Sequence, residues 1–299
     1  MDYGKVDNPD SIKFSLPKDH SDNKKVLGGK KSKTKIYTGC AKWGRKEWVG
    51  KIYPTKTKEK DFLAQYVKQF NCIELNATHY NIYSSSTINK WKETSEGIDF
   101  KFCPKFYQGI SHFRRLKNAE HDTENFLNSI SNLGEKLGTC FLQLPPNFTP
   151  KSFNELKNYL EKFPKEPEVC IELRHPLWFS DEKIADETFS MFKEMGFGNV
   201  ITDTSGRRDV MHMRLTTRTA FIRFVGNNLH KTDYTRVDEW IERLKVWIDS
   251  GLETAYFMLH QHDEAYTPEL AVYTIKKMND KLNAELKEIN YFNESYNSD

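Results

Sequence analysis

The 299 residues carry 45 basic and 42 acidic side chains, a net charge of +3 with the nine histidines neutral. That balance excludes a polycation that binds nucleic acid by composition alone. A mean hydropathy of -0.73, with no apolar run near the roughly 18 residues a span requires, excludes a membrane-crossing helix. The length admits one large domain or two ordinary ones, and the 20 Phe, 14 Tyr and six Trp must be buried or must line something.

Residues 1–33 are polar and rich in lysine and aspartate, and read as a flexible or loosely docked extension. They hold no apolar stretch of the kind a secretory signal needs, so a cytoplasmic protein is expected. From there strand-like and helix-like patterns alternate. Strands are expected at Lys35–Gly39, Cys72–Asn76, Phe100–Pro104, Thr139–Leu144, Val169–Arg174, Val200–Asp203, Ala220–Val225 and Ala255–His260. Helices are expected at Lys58–Gln69, Thr123–Leu137, Ser152–Lys162, Asp181–Met195, Tyr234–Ser250 and Pro268–Leu282. Asp181 suits an N-cap, and Pro268 suits a first helical position. Eight strands alternating with helices predict an α/β fold, a single (β/α)₈ TIM-type barrel over residues 34–284. The stretch between strands six and seven is too short and polar for a crossover helix, and reads as a loop across the mouth. Residues 285–299 form a polar C-terminal tail.

Cys40, Cys72, Cys103, Cys140 and Cys170 are odd in number and contain no C-x₂₋₄-C pair. They read as free, buried thiols of a reducing compartment rather than as disulfides or zinc ligands.

Side chains alternate faces along a strand, which sorts each strand into outward and inward residues. With Ile73, Leu75, Val169, Ile171 and Leu173 facing the helices, Cys72, Glu74, Asn76, Cys170, Glu172 and Arg174 face the barrel axis. The other strands add Cys103 and Lys105, Phe141 and Gln143, Asp203, Phe221 and Arg223, and Met258 and His260. The deeper positions are small or apolar, and the last positions are charged or amide. Polar groups converging at one end of a barrel describe a C-terminal-face site. A structural ion-pair network that closes the barrel would give the same pattern.

The strings TGCAKWGRKEWVGKIYP, FNCIELNATHY, FLQLPPNF, IELRHPLW and TDTSGR follow one another in order. Together they resemble the YecE-like family known as domain of unknown function 72, over about Tyr37 to Leu282. The resemblance implies a TIM-type barrel and implies no particular reaction. Two places depart from the commoner family pattern. Cys40-Ala41-Lys42 stands where a serine and a second glycine are more usual before Trp43, and His260-Gln261-His262-Asp263-Glu264 follows strand eight in place of asparagines and glycines.

Glu172 is the leading candidate acid or base, because a carboxylate near a second one and away from water has a raised pKa. Glu74 and Asp203 are the supporting carboxylates. Lys105, Arg174 and Arg223 form an anion clamp, and Asn76, Gln143 and His260 offer hydrogen bonds to substrate. Trp43 and Trp178 are candidate aromatic walls. The function expected is that of a hydrolase or lyase acting on an anionic, phosphate- or sugar-containing substrate. The alternative is a non-catalytic binder of nucleic acid or of an anionic ligand. The partner is thus a small anion or a nucleic-acid backbone and not a membrane, with the oligomeric state left open. No cofactor is expected; a divalent metal is the weaker alternative, since histidines are scattered and three cations share the rim.

Overall fold

A computed structural model describes residues 3–29 and 33–292. Eight parallel strands form one sheet: β1 Lys35–Cys40, β2 Cys72–Leu75, β3 Lys101–Pro104, β4 Cys140–Gln143, β5 Val169–Glu172, β6 Gly198–Asp203, β7 Thr219–Gly226 and β8 Thr254–Gln261. Their spatial order is β3-β2-β1-β8-β7-β6-β5-β4. The two ends, β3 and β4, meet through isolated bridges at Phe102–Leu137 and Lys105–Phe141. Gly138 N donates to Phe102 O at 2.7 Å there, and Phe106 N to Phe141 O at 3.0 Å. The result is a nearly closed TIM-type barrel.

The helices are α1 Asn23–Leu27, α2 Phe62–Tyr66, α3 Ala77–Tyr80, α4 Ser85–Thr94, α5 Glu120–Ile130, α6 Phe153–Glu161, α7 Glu182–Met195, α8 Lys231–Asp249 and α9 Thr267–Leu282. The expected caps form: Asp181 Oδ1 accepts from Lys183 N at 2.9 Å, and Pro268 lies in the first turn of α9. Between β6 and β7 the described residues hold no α-helix, as the polar loop predicted.

Outward strand residues such as Ile73, Leu75, Ile201, Ile222 and Leu259 pack with Trp240, Leu244 and Met278 of the surrounding helices. Each large apolar side chain buried this way contributes about 1.5–3 kcal/mol. A separate set, Tyr37, Cys72, Cys103, Phe141, Cys170, Val200, Phe221, Tyr256 and Met258, fills the barrel interior. All five cysteines are buried and free.

Gly39 sits where β1 and β2 come closest. A Cβ there would lie 1.9 Å from Cys72 O and 2.9 Å from the Tyr66 hydroxyl, which accepts from Cys40 N at 2.7 Å and donates to Cys72 O at 2.9 Å. Gly39→Ala should therefore cost about 1–3 kcal/mol by overpacking, read as a lower urea midpoint with an unchanged m-value; an unshifted midpoint would contradict this packing.

The polar extensions, expected to be loose, are docked where they are described. Leu16 N donates to Glu239 at 2.7 Å, His20 N to Met213 O at 3.1 Å, and Lys193 to Asp22 at 2.9 Å. Leu27 enters the core. At the other end Asn290 N donates to Gln69 at 2.9 Å and Phe292 N to Lys51 O at 2.7 Å. Hydrogen bonds to polar side chains and to backbone carbonyls hold these segments, which an apolar periodicity does not register. The remainder of the extension and tail, residues 1–2, 30–32 and 293–299, lies outside the described residues.

Candidate functional site

Above the apolar filling, the last inward residues of the strands meet around Arg223 of β7. Its Nε and Nη2 donate to the two oxygens of Glu74 at 2.8 Å each, a bidentate pair across the barrel. Its Nη1 donates to both oxygens of Glu172 at 3.1 and 3.0 Å. Glu172 also accepts from Arg174 Nε at 2.7 Å, Gln143 Nε2 at 2.8 Å and Thr202 Oγ1 at 3.0 Å. Glu74 accepts from Asn76 Nδ2 at 2.8 Å and lies 3.0 Å from His260 Nε2, whose Nδ1 is 3.5 Å from Glu264. Glu74, Glu172, Arg223 and His260 are buried almost completely.

Lys105 stands apart in this ring. Only 9% exposed, it donates a single hydrogen bond among the described residues, Nζ to Gln143 Oε1 at 2.8 Å. Arg174 spends Nε on Glu172, and its terminal nitrogens have no hydrogen bond to the described residues. Donor capacity is thus concentrated on Lys105 and Arg174, at the outer edge of a network that is otherwise paired internally.

The electrostatics separate the roles. Burial alone would raise the Glu172 carboxyl, but Arg174 and Arg223 override it and hold the group down at about 2. Burial is likewise overcome at Glu74, where Arg223 and His260 hold the carboxyl well below its usual range. The raised Glu172 pKa expected of a general acid is therefore absent, because the two carboxylates share a cation instead of facing one another. His260 is raised despite burial, held between Glu74 and Glu264. Lys105 moves the other way: burial first, then Arg223 and Arg174, bring its ammonium from 10.5 down to about 7. Two histidines flank it. Burial and Lys105 lower His79 to about 3 and His112 to about 4, so both are neutral near pH 7.

Glu74, Glu172, Lys105, Arg174, Arg223, Asn76, Gln143 and His260 are brought together. Three candidates are not. Val200 and Thr202 are the inward residues of β6, so Asp203 faces outward, where it binds Arg236 at 2.8 Å, Trp240 Nε1 at 2.7 Å and Arg208. The ring has two carboxylates from the strands, not three. Trp178 is fully buried, stacked on Phe148 and donating Nε1 to Phe148 O at 2.7 Å. It is core and cannot wall a pocket. Trp43 packs edge-on against Trp91, centroids 5.7 Å apart, outside the hydrogen-bonded ring. Thr202, Glu264 and Tyr3 were missed. Alternation from Val200 would have found Thr202, whereas Glu264 reaches His260 only because the chain turns back after β8, which no periodicity announces. Nothing in the sequence places Tyr3.

Among the described residues no group of three or more His, Cys, Asp or Glu side chains is set to share a metal ion. None of their helices is long and apolar enough to cross a membrane.

The family described as "Protein of unknown function DUF72" matches residues 37–290. UPF0759 protein YecE of Escherichia coli K12 is 29% identical over 258 residues, covering 80% of this chain and 91% of that protein. UPF0759 protein YunF of Bacillus subtilis 168 is 30% identical over 180 residues, covering 56% of this chain and 60% of that protein. The crystal structure of a DUF72 family protein from Enterococcus faecalis V583 superposes with a TM-score of 0.65 at 18% identity, over 83% of this chain and 98% of that one. One from Thermotoga maritima MSB8 gives 0.61 at 23% identity, over 82% and 99%. At these identities the two structures speak for the fold alone.

Proposed function

We propose that this chain, which belongs to the DUF72 family, takes a small anionic, phosphate- or sugar-containing substrate at the C-terminal mouth of its barrel. There it acts as a hydrolase or lyase, with Lys105 as the proton-transfer group and Arg174 as the anion contact. One observation carries the reading. Lys105 is a buried amine with a single hydrogen bond to the described residues, held near neutrality by burial and by its cationic neighbours. At pH 7 about half of such amines are free to accept a proton, the best compromise between availability and driving force. Glu172 and Glu74, ionised and locked to Arg223, fix that geometry and do not titrate near neutrality. The five buried free thiols support a cytoplasmic setting.

The test is a panel of sugar phosphates followed by phosphate release and by carbonyl or alkene formation. With Lys105 as base, the rate should rise with pH through about 7, and Arg174→Met should weaken inorganic phosphate binding roughly tenfold or more. Phosphate affinity that is the same in wild type and Arg174→Met would sink the clamp.

A second reading, binding of a nucleic-acid end without chemistry, is favoured by the rim. Tyr80, Phe113 and Leu177 are exposed large side chains on the connections after β2, β3 and β5, and Arg114 and Arg115 follow Phe113. The exposed rings of Tyr80 and Phe113, with two arginines next to the latter, are of the types that stack bases and contact phosphates. A steep salt dependence of affinity for generic single strands would select this reading over the first.

A further inference from the structure

The N-terminal segment is sewn to the mouth. Gly206 N, on the loop after β6, donates to Gly4 O at 2.8 Å, and Thr204 Oγ1 lies 3.3 Å from Tyr3 O. Gly4 has φ +76°, and a Cβ there would fall 2.5 Å from Thr204 Oγ1, so only glycine lets the two segments come this close. Further along, Phe14 lies under the Arg236 guanidinium, 4.7 Å from ring centre to carbon, and Arg208 Nη2 donates to Phe14 O at 3.0 Å.

This stitching fixes Tyr3. Its ring centre is 4.1 Å from the Arg174 guanidinium carbon and 5.0 Å from that of Arg207. Arg207 in turn donates to Arg174 O at 3.0 Å and is neutralised by Asp209 at 2.9 Å. The Tyr3 hydroxyl is buried without a hydrogen-bond partner among the described residues. Burial pushes it up to about 12, with Arg174, Glu172, Arg207 and Asp209 all close enough to influence it. It is therefore a protonated donor at any ordinary pH. A buried donor left unpaired costs stability, and a ligand that accepts from it would complete the pairing.

We infer that Tyr3 is a ligand-contacting residue of the mouth, its ring forming the outer wall and its hydroxyl donating to the anion held by Lys105 and Arg174. The inference rests on the anion reading given above and deepens it. With the wall in place the mouth accepts a compact anion, and a polymer end would have to displace residues 3 and 4.

The experiment compares inorganic phosphate binding by calorimetry in full-length wild type, Tyr3→Phe, Tyr3→Ala, Gly4→Val and Arg174→Met. Phenylglyoxal modification of Arg174, followed by mass spectrometry, is measured beside it. Tyr3→Phe should weaken phosphate roughly tenfold by loss of one charge-assisted hydrogen bond. Tyr3→Ala and Gly4→Val should weaken it at least as much, and should speed modification of Arg174. Phosphate bound equally or more tightly by Tyr3→Phe and Tyr3→Ala, while Arg174→Met loses it, would overturn the role of Tyr3 and leave the anion site standing. Binding by none of the five would overturn the anion site and the Tyr3 contact with it. Unchanged modification of Arg174 in Tyr3→Ala would overturn the wall itself.

Discussion

Arg223→Met should destabilise the protein by on the order of 3–5 kcal/mol, because it leaves two buried carboxylates without their shared cation. Arg223 makes four hydrogen bonds to Glu74 and Glu172, and all three side chains are at most 1% exposed. Methionine fills the volume and supplies none of the charge. Urea unfolding followed by circular dichroism measures the loss, and a change below about 1 kcal/mol would mean that water reaches the carboxylates. The acid limb gives a second reading. The folded-state carboxyls are depressed, so their stabilisation is complete above the unfolded value of 4.5 and is lost as pH falls. For Glu172 that window runs from 4.5 down to about 2, and its full span is worth roughly 3 kcal/mol. In Arg223→Met the folded values move up and the acid transition should begin at higher pH.

Lys105→Met should do the reverse: abolish phosphate binding and turnover while raising stability at pH 6 by on the order of a few kcal/mol. The folded pKa of Lys105 lies below the unfolded one, about 7 against 10.5. The unfolded chain therefore binds more protons across that interval. Wild-type stability carries the full penalty below pH 7 and recovers it as pH rises toward 10.5. That alkaline rise should be missing from the methionine variant. A residue kept for packing would lose stability on substitution; one kept for chemistry gains it. If Lys105→Met is destabilised and still binds phosphate, the assignment of Lys105 fails.

The fold was legible because the signals behind it are local. Apolar β-branched runs such as Val169–Ile171, capping at Asp181 and Pro268, and the absence of a helix between β6 and β7 all read directly from short windows. The inward ring was legible as far as alternation could be phased. It held on β2, β5, β7 and β8 and slipped by one residue on β6. There Ile201 and Asp203 share a face, and the acidic residue is paired outside the barrel by Arg236, a side chain from α8 that no strand pattern announces. Glu172 lies in the ring, but its carboxyl is held down by Arg174, two residues on, and by Arg223, more than 50 residues away in sequence, so the raised value expected of an acid does not arise. Trp178 failed for a related reason: the sequence shows an aromatic after a strand, and only packing against Phe148 shows on which side it lies. Tyr3 was out of reach, because its position depends on hydrogen bonds between segments about 200 residues apart.

The sulfur- and aromatic-filled interior has a consequence for traffic. Cys72, Cys103, Phe141, Cys170, Phe221, Tyr256 and Met258 are buried and stop the barrel below the polar ring. A ligand at the polar ring would therefore have to arrive from the C-terminal side, since packed side chains fill the barrel beneath it. With Tyr3 as the doorway inferred above, a reaction product would retrace the path of its substrate and compete with it for the same cations. Any release step is then set at the doorway rather than by a drain through the barrel floor.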